Sequence, residues 1–339
     1  MLVQAAGSGS SGAAESMGSP MLWTVSIVVL LALLVADFVI TRKPHEVSMK
    51  EAVGWSVFYL ALPFVFALFV WLVYSGGQAT EFVTGFVVEK SLSVDNLFVF
   101  LLILTGFAVP AAVQQRVLLY GIVGALVLRG IFIALGAAML KAGTWAFLVF
   151  GLILFVSAVK ILVEALKGHQ DEKDPSEMRS VKLMRRFTHV TDDYRGTKMI
   201  VREAGKRALT PLAIVVVAVF ATDIVFAVDS VPAVYGITED PYLVFATNAF
   251  ALLGLRALYF VLQAVLAKLI YLNHGLAIIL AFIGVKLVLH WAHTVWPAVP
   301  TIPTPISLLA IIGILGVVTV LSLRVSKRNE NREAADAKA

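Results

Sequence analysis

The chain has 339 residues, 60% of them hydrophobic and only 14% charged, with a mean hydropathy of +0.91. Soluble domains carry about 25% charged residues, so this composition excludes a soluble globular protein and points to an all-α polytopic membrane protein, with the lipid bilayer as its first partner. The absence of cysteine excludes disulfides, thiolate metal sites and cysteine nucleophiles, and the net charge of +5 needs no nucleic acid to explain it, because membrane proteins place basic residues by topology.

In chain order, residues 1–20 are rich in Gly, Ser and Ala and lack Lys and Arg, the composition of a disordered tail. The apolar run 21–40 is long enough for one helix across roughly 30 Å of hydrocarbon and lacks the basic start and short core of a signal peptide. Asp37, near its end, is expected to reach the interface. Further spans are expected over 52–74, 80–107, 114–140, 144–166, 210–236, 241–266, 274–295 and 305–323, about nine transmembrane helices with the first. The organisation is then a tail (1–20), two leading spans (21–79), a three-helix unit (80–166), a basic linker (167–209), a second three-helix unit (210–295), a last span (305–323) and a charged tail (324–339). The linker reads as a surface segment beside anionic lipid, with an amphipathic helix around Val181 to Phe187.

With the N-terminus outside, the inside loops hold 21 Lys and Arg and the outside loops only Lys141. That asymmetry is what the positive-inside rule requires, so the expected orientation is N-terminus out and C-terminus in. The five remaining basic residues, Lys90, Arg129, Lys160, Arg256 and Lys286, fall inside spans.

Ionisable groups within spans are expensive and mark functional paths. Two stretches carry them in matching form: TEFVTGFVVEKSLSVDNLFVFLLILTGF holds Glu89 and Asp95, and TPLAIVVVAVFATDIVFAVDSVPAVYG holds Asp223 and Asp229. Both pairs are six residues apart and are related by an offset of 134. Arg129 in LVLRGIF then maps to Arg256 in LGLRALY, and Lys160 in VSAVKIL maps to Lys286 in FIGVKLV, in the same order. Each copy is three spans. An odd number makes the second copy enter from the opposite side, giving a 3+3 inverted-topology repeat of the kind secondary transporters use.

On a regular helix, six residues place Glu89 and Asp95 roughly 120° apart and about 9 Å along the axis. A local break would let them converge, and unwound backbone is tolerated in a membrane where it lines a polar cavity. Lys90 to Ser93 in the first copy and Pro232 in the second are the expected places. The four carboxylates, with Asn96 and Ser230 as secondary donors, form an all-oxygen set suited to hard divalent cations. The same carboxylates are candidate proton carriers. Lys90, Arg129, Lys160, Arg256 and Lys286 are expected as counter-charges or gates, and a purely structural role for the charge pairs remains open. Asn248 is read either as helix–helix glue or as part of the site.

The stretches GFVVEKSLSVDNLFVFLLIL, FATDIVFAVDSVPAVYGIT and TNAFALLGLRALYF closely resemble the TerC family of bacterial membrane proteins, over about Trp55 to His293. The resemblance implies proteins first linked to tellurium resistance and now viewed largely as manganese exporters of the LysE transporter superfamily, with Glu89, Asp95, Asp223 and Asp229 as the functional acids. The reading is a secondary transporter of the bacterial inner membrane, not an enzyme. It exports a divalent cation, Mn²⁺ first, in exchange for protons, with the metal as substrate and no cofactor. Two alternatives stay open. One is a membrane scaffold assisting the assembly or metalation of other membrane proteins. The other is a transporter of an anion such as tellurite, which would bring Arg129 and Arg256 to the site.

Overall fold

The computed structural model describes residues 16–40, 49–167, 190–191, 193–203, 206–265 and 270–336. Their elements are α1 Pro20–Ile40, α2 Met49–Val73, α3 Gly76–Gly106, α4 Ala111–Ala142, α5 Trp145–Lys167, β1 Ile200–Glu203, β2 Lys206–Leu209, α6 Pro211–Tyr235, α7 Pro241–Leu252, α8 Leu255–Val265, α9 Leu272–Val295 and α10 Thr304–Asp336. The helix around Val181 to Phe187 falls outside the described residues.

Seven of these helices, α1, α2, α4, α5, α6, α9 and α10, are long and apolar enough to cross a membrane. Large apolar side chains cover their outer faces: Trp71, Val156 and Leu309 are 60%, 65% and 71% exposed. Apolar surface of that extent belongs against lipid, and the chain is a multi-pass membrane protein.

The other two of the nine expected spans take a different form. Helix α3 is 31 residues long and reaches about 46 Å, but Glu81, Glu89, Lys90 and Asp95 dilute its apolar character. The span expected over 241–266 is two shorter helices, α7 and α8, separated at Leu253 and Gly254. Gly254 has φ +77°, and Tyr59 of α2 fills the space where a Cβ would stand. Only glycine takes that conformation at little cost, so the helix stops there.

The breaks expected beside the acids do not exist. Helices α3 and α6 are continuous through Lys90 to Ser93 and through Pro232. Ser91 donates its hydroxyl to Val87 O at 2.6 Å, a bond inside the helix that leaves the ladder intact. Pro232 lies in the last turn of α6, where Gly236 N still closes onto its carbonyl at 2.9 Å.

Helices α3, α4, α6 and α7 form the centre of the bundle, with α2 against α3 and α8, and α10 against α9. Helices α5 and α9 make the most extensive pairing. They cross at Gly151 and Gly284, where an added Cβ on either would come within 2.9–3.0 Å of the other's carbonyl oxygen. Small residues at a crossing let the backbones touch, a common device in membranes.

The all-α expectation needs one amendment. Strands β1 and β2 form an antiparallel hairpin in the linker, pairing Ile200 with Leu209 and Glu203 with Lys206. The Thr210 hydroxyl donates to Lys198 O at 2.7 Å, and the Tyr194 hydroxyl donates to Phe107 O at 2.7 Å, so the hairpin region is fastened to the start of α6 and the end of α3. Burial pushes the Tyr194 phenol above its usual pKa.

At the opposite end of the bundle, Asp240 caps α7 by accepting from Tyr242 N at 2.9 Å. It also accepts from Ser16 Oγ at 2.6 Å and Met17 N at 2.7 Å, which holds the segment before α1. Asp37, expected at an interface, is buried near the other end of α1, beside Tyr59, Leu253 and Gly254. Between these ends α1 stands off from α2 and α7, leaving an apolar cleft of about 220 Å³ lined by Val25, Val29, Phe66, Phe245 and Phe250 among others.

Candidate functional site

The site is built on the continuous helices α3 and α6 and completed by α4 and α7. Glu89 of α3 and Arg129 of α4 are 0% exposed, and Asp223 of α6 is 2% exposed. They stay there because each helix brings a partner. The Arg129 guanidinium forms an ion pair with Glu89 through Nη1, and Nη2 lies 3.9 Å from Asp223 Oδ1. Nη1 also donates to Asn248 Oδ1 of α7 at 2.8 Å. Asn248 is held in turn, its Nδ2 donating to Val244 O at 2.9 Å. Asn96, with its amide oriented to donate to Leu92 O at 3.1 Å, accepts from Arg129 Nη2 at 3.3 Å. One arginine therefore joins acids from the two expected three-helix units to two amides.

The set is not saturated. Glu89 Oε2, Asp223 Oδ2, Ser93 Oγ, Ser230 Oγ and Arg129 Nε are buried without a hydrogen-bond partner among the described residues. Buried polar atoms are ordinarily satisfied, and these five lie around one charge cluster.

The remaining expected site residues fall in different places. Asp229 is half-buried on α6, within electrostatic reach of Arg129. Asp95 and Arg256 lie on α3 and α8, but their side chains are outside the described residues. Among the described side chains, no three carboxylates or histidines stand close enough together to hold one metal ion. The Lys90 ammonium donates to Ala251 O at 3.1 Å, in the last turn of α7, where carbonyls lack helical partners and favour a cation.

Lys160 stands on the outer side of α5. Helix α5 presents Gly151, Leu154 and Ala158 to its neighbours, while Lys160 is exposed among Val156, Val159 and Val163. Lys286, its expected equivalent, is half-buried and lines a cavity of about 400 Å³ with Glu81, Thr238, Glu239, Asp240 and His290. In that cavity Thr238 donates to Glu81 Oε2 at 2.7 Å, and His290 Nε2 lies 3.5 Å from Glu239 Oε1.

Sequence reasoning missed this polar vestibule. Its residues come from α3, the α6–α7 turn and α9, and each alone looks like an interfacial charge. The TED triplet at Thr238 to Asp240, beside a Pro-started helix, is the one signal that could have drawn attention to it.

Residues 74–330 match the TerC family of integral membrane proteins. The chain is 41% identical over 275 residues to an uncharacterized membrane protein of Myxococcus xanthus, covering 81% of this chain and 85% of that one. It is 42% identical over 277 residues to an uncharacterized membrane protein of Mycobacterium tuberculosis H37Rv, covering 81% and 70%. Over 285 residues it is 39% identical to an Escherichia coli K12 protein named "Putative membrane-bound redox modulator Alx", covering 81% and 88%. No solved structure matches the chain.

Proposed function

This chain belongs to the TerC family of integral membrane proteins, and from that premise we propose that it is a secondary transporter exporting a divalent cation across the bacterial cytoplasmic membrane in exchange for protons. The observation that carries the reading is the buried cluster of Glu89 and Asp223 around Arg129, with carboxylate and hydroxyl oxygens left open. Among the described side chains, two carboxylates stand against one guanidinium, a balance that favours a cation over an anion such as tellurite. Its donors are all oxygens, the preference of hard cations. The donor set suits Mn²⁺, Ca²⁺ and Mg²⁺ alike; Mn²⁺ comes first because of the family resemblance. Asp95 and Asp229, with Asn96 and Ser230, complete the proposed path.

The proposed inverted repeat gains support from packing. Helix α3 lies against α6 and α5 against α9, the elements the repeat makes equivalent. The offset of 126 that carries Lys160 onto Lys286 also carries Gly151 onto Ala277 and Ala158 onto Gly284. Small residues thus occupy both sides of the α5–α9 crossing in both copies. Rocking of one unit against the other would give alternating access.

The redox role in the name of the Escherichia coli relative has no thiol route here, because this chain has no cysteine. The scaffold reading differs from transport in a direct way: it requires no flux.

Purified protein in liposomes should move Mn²⁺, with Ca²⁺ and Mg²⁺ and a second pH as comparisons. Glu89→Gln and Asp223→Asn should abolish that movement. No flux of any cation, or tellurite flux without metal, would set the reading aside. For orientation, a reporter after Gly196 should read cytoplasmic and one at Gly76 external.

A further inference from the structure

We propose that Arg129 is a built-in competitor for the transported cation: its guanidinium fills the carboxylate site when the site holds no metal, and metal binding displaces it. This rests on the cation-transport reading and gives that site its occupant between cargoes.

The contacts support displacement over a fixed bridge. The guanidinium engages one oxygen each of Glu89, Asp223 and Asn96, and a metal held by both oxygens of either carboxylate would need those atoms. Metal–oxygen distances of about 2.0–2.6 Å leave no room for a guanidinium nitrogen against the same oxygens, and two cations at that separation repel. Metal and arginine therefore exclude one another. The arginine also fits its acids incompletely. A bridge built to stay would present paired, parallel bonds to each carboxylate; here Asp223 is reached only at 3.9 Å, and Asp223 Oδ2 and Arg129 Nε have no hydrogen-bond partner among the described residues.

What holds Arg129 outside the acids is Asn248 at 2.8 Å. Asn248 sits on α7, one and a half turns before the break at Leu253 and Gly254. When cargo leaves, the arginine returns and offsets part of the negative charge of the two acids.

The test is Mn²⁺ affinity measured by calorimetry on the full chain in detergent, paired with efflux from liposomes. Arg129→Ala should bind Mn²⁺ at least about tenfold more tightly, roughly 1.4 kcal/mol, while its efflux falls because release loses its driver. Millimolar guanidinium should weaken Mn²⁺ binding to Arg129→Ala and leave the wild type unaffected. Arg129→Lys keeps the charge but is too short and lacks the fork to span both acids; it should bind a few-fold more tightly than wild type and carries the test if the alanine variant does not fold. Unchanged or weaker Mn²⁺ binding in both variants, with wild-type binding intact, overturns the competitor role alone. No Mn²⁺ binding by wild type and both variants overturns this role together with the transport reading.

Discussion

Arg129 donates to Asn248 across 119 residues of sequence, at 2.8 Å and in full burial. The bond links α4 to α7 at the level of the acids. It also fixes which face of the guanidinium turns to Glu89, because Asn248 is itself tied to Val244 O.

Asn248→Ala should therefore destabilise the protein without removing any acid. The lost hydrogen bond is to a charged group, worth about 1.5–3 kcal/mol, and the nitrogen it served stays buried. The expected outcome is a lower midpoint in thermal unfolding in detergent, against an unchanged midpoint for an exposed substitution such as Leu309→Ala. An unchanged midpoint for Asn248→Ala would show that the bond carries no weight.

Asp95→Asn should abolish Mn²⁺ efflux at matched membrane expression. The change keeps size and one oxygen but removes the charge that offsets dehydration of a divalent ion. Lys160→Met should leave efflux and stability near wild type, since Lys160 faces outward from α5. Normal efflux from Asp95→Asn, or lost efflux from Lys160→Met, would contradict the assignment of roles.

Gly254→Ala should destabilise by about 1–3 kcal/mol, the cost of holding a side-chain residue in a sparsely populated backbone region, with Tyr59 forced to move as well. Gly316→Ala in α10 meets nothing within 4 Å and should be neutral or slightly stabilising. Equal thermal midpoints for the two variants would mean that the break between α7 and α8 does not depend on the glycine.

The buried acids were legible because charge inside an apolar run is conspicuous, and their matched spacing is what suggests two units. The partner choice was not. Arg129 meets Asn248, Glu89 and Asp223 through helix packing that no local pattern encodes, and the outward placement of Lys160 was hidden because α5 is apolar along nearly its whole length. The continuity of α3 was misread for a related reason. Ser91 satisfies itself on Val87 O, so a polar run that looked like a site of unwinding is compatible with helix. The real interruption is at Gly254, a lone glycine in LLGLRA, with no proline beside it to announce a stop.

Helix α1 is bolted near both ends, by Asp240 on Ser16 and Met17 and by the burial of Asp37, while its middle stands clear of α2 and α7. In a bilayer the cleft between them faces hydrocarbon, so the apolar side chains Phe245, Ala249 and Phe250 of α7, the helix that carries Asn248, meet it on that side.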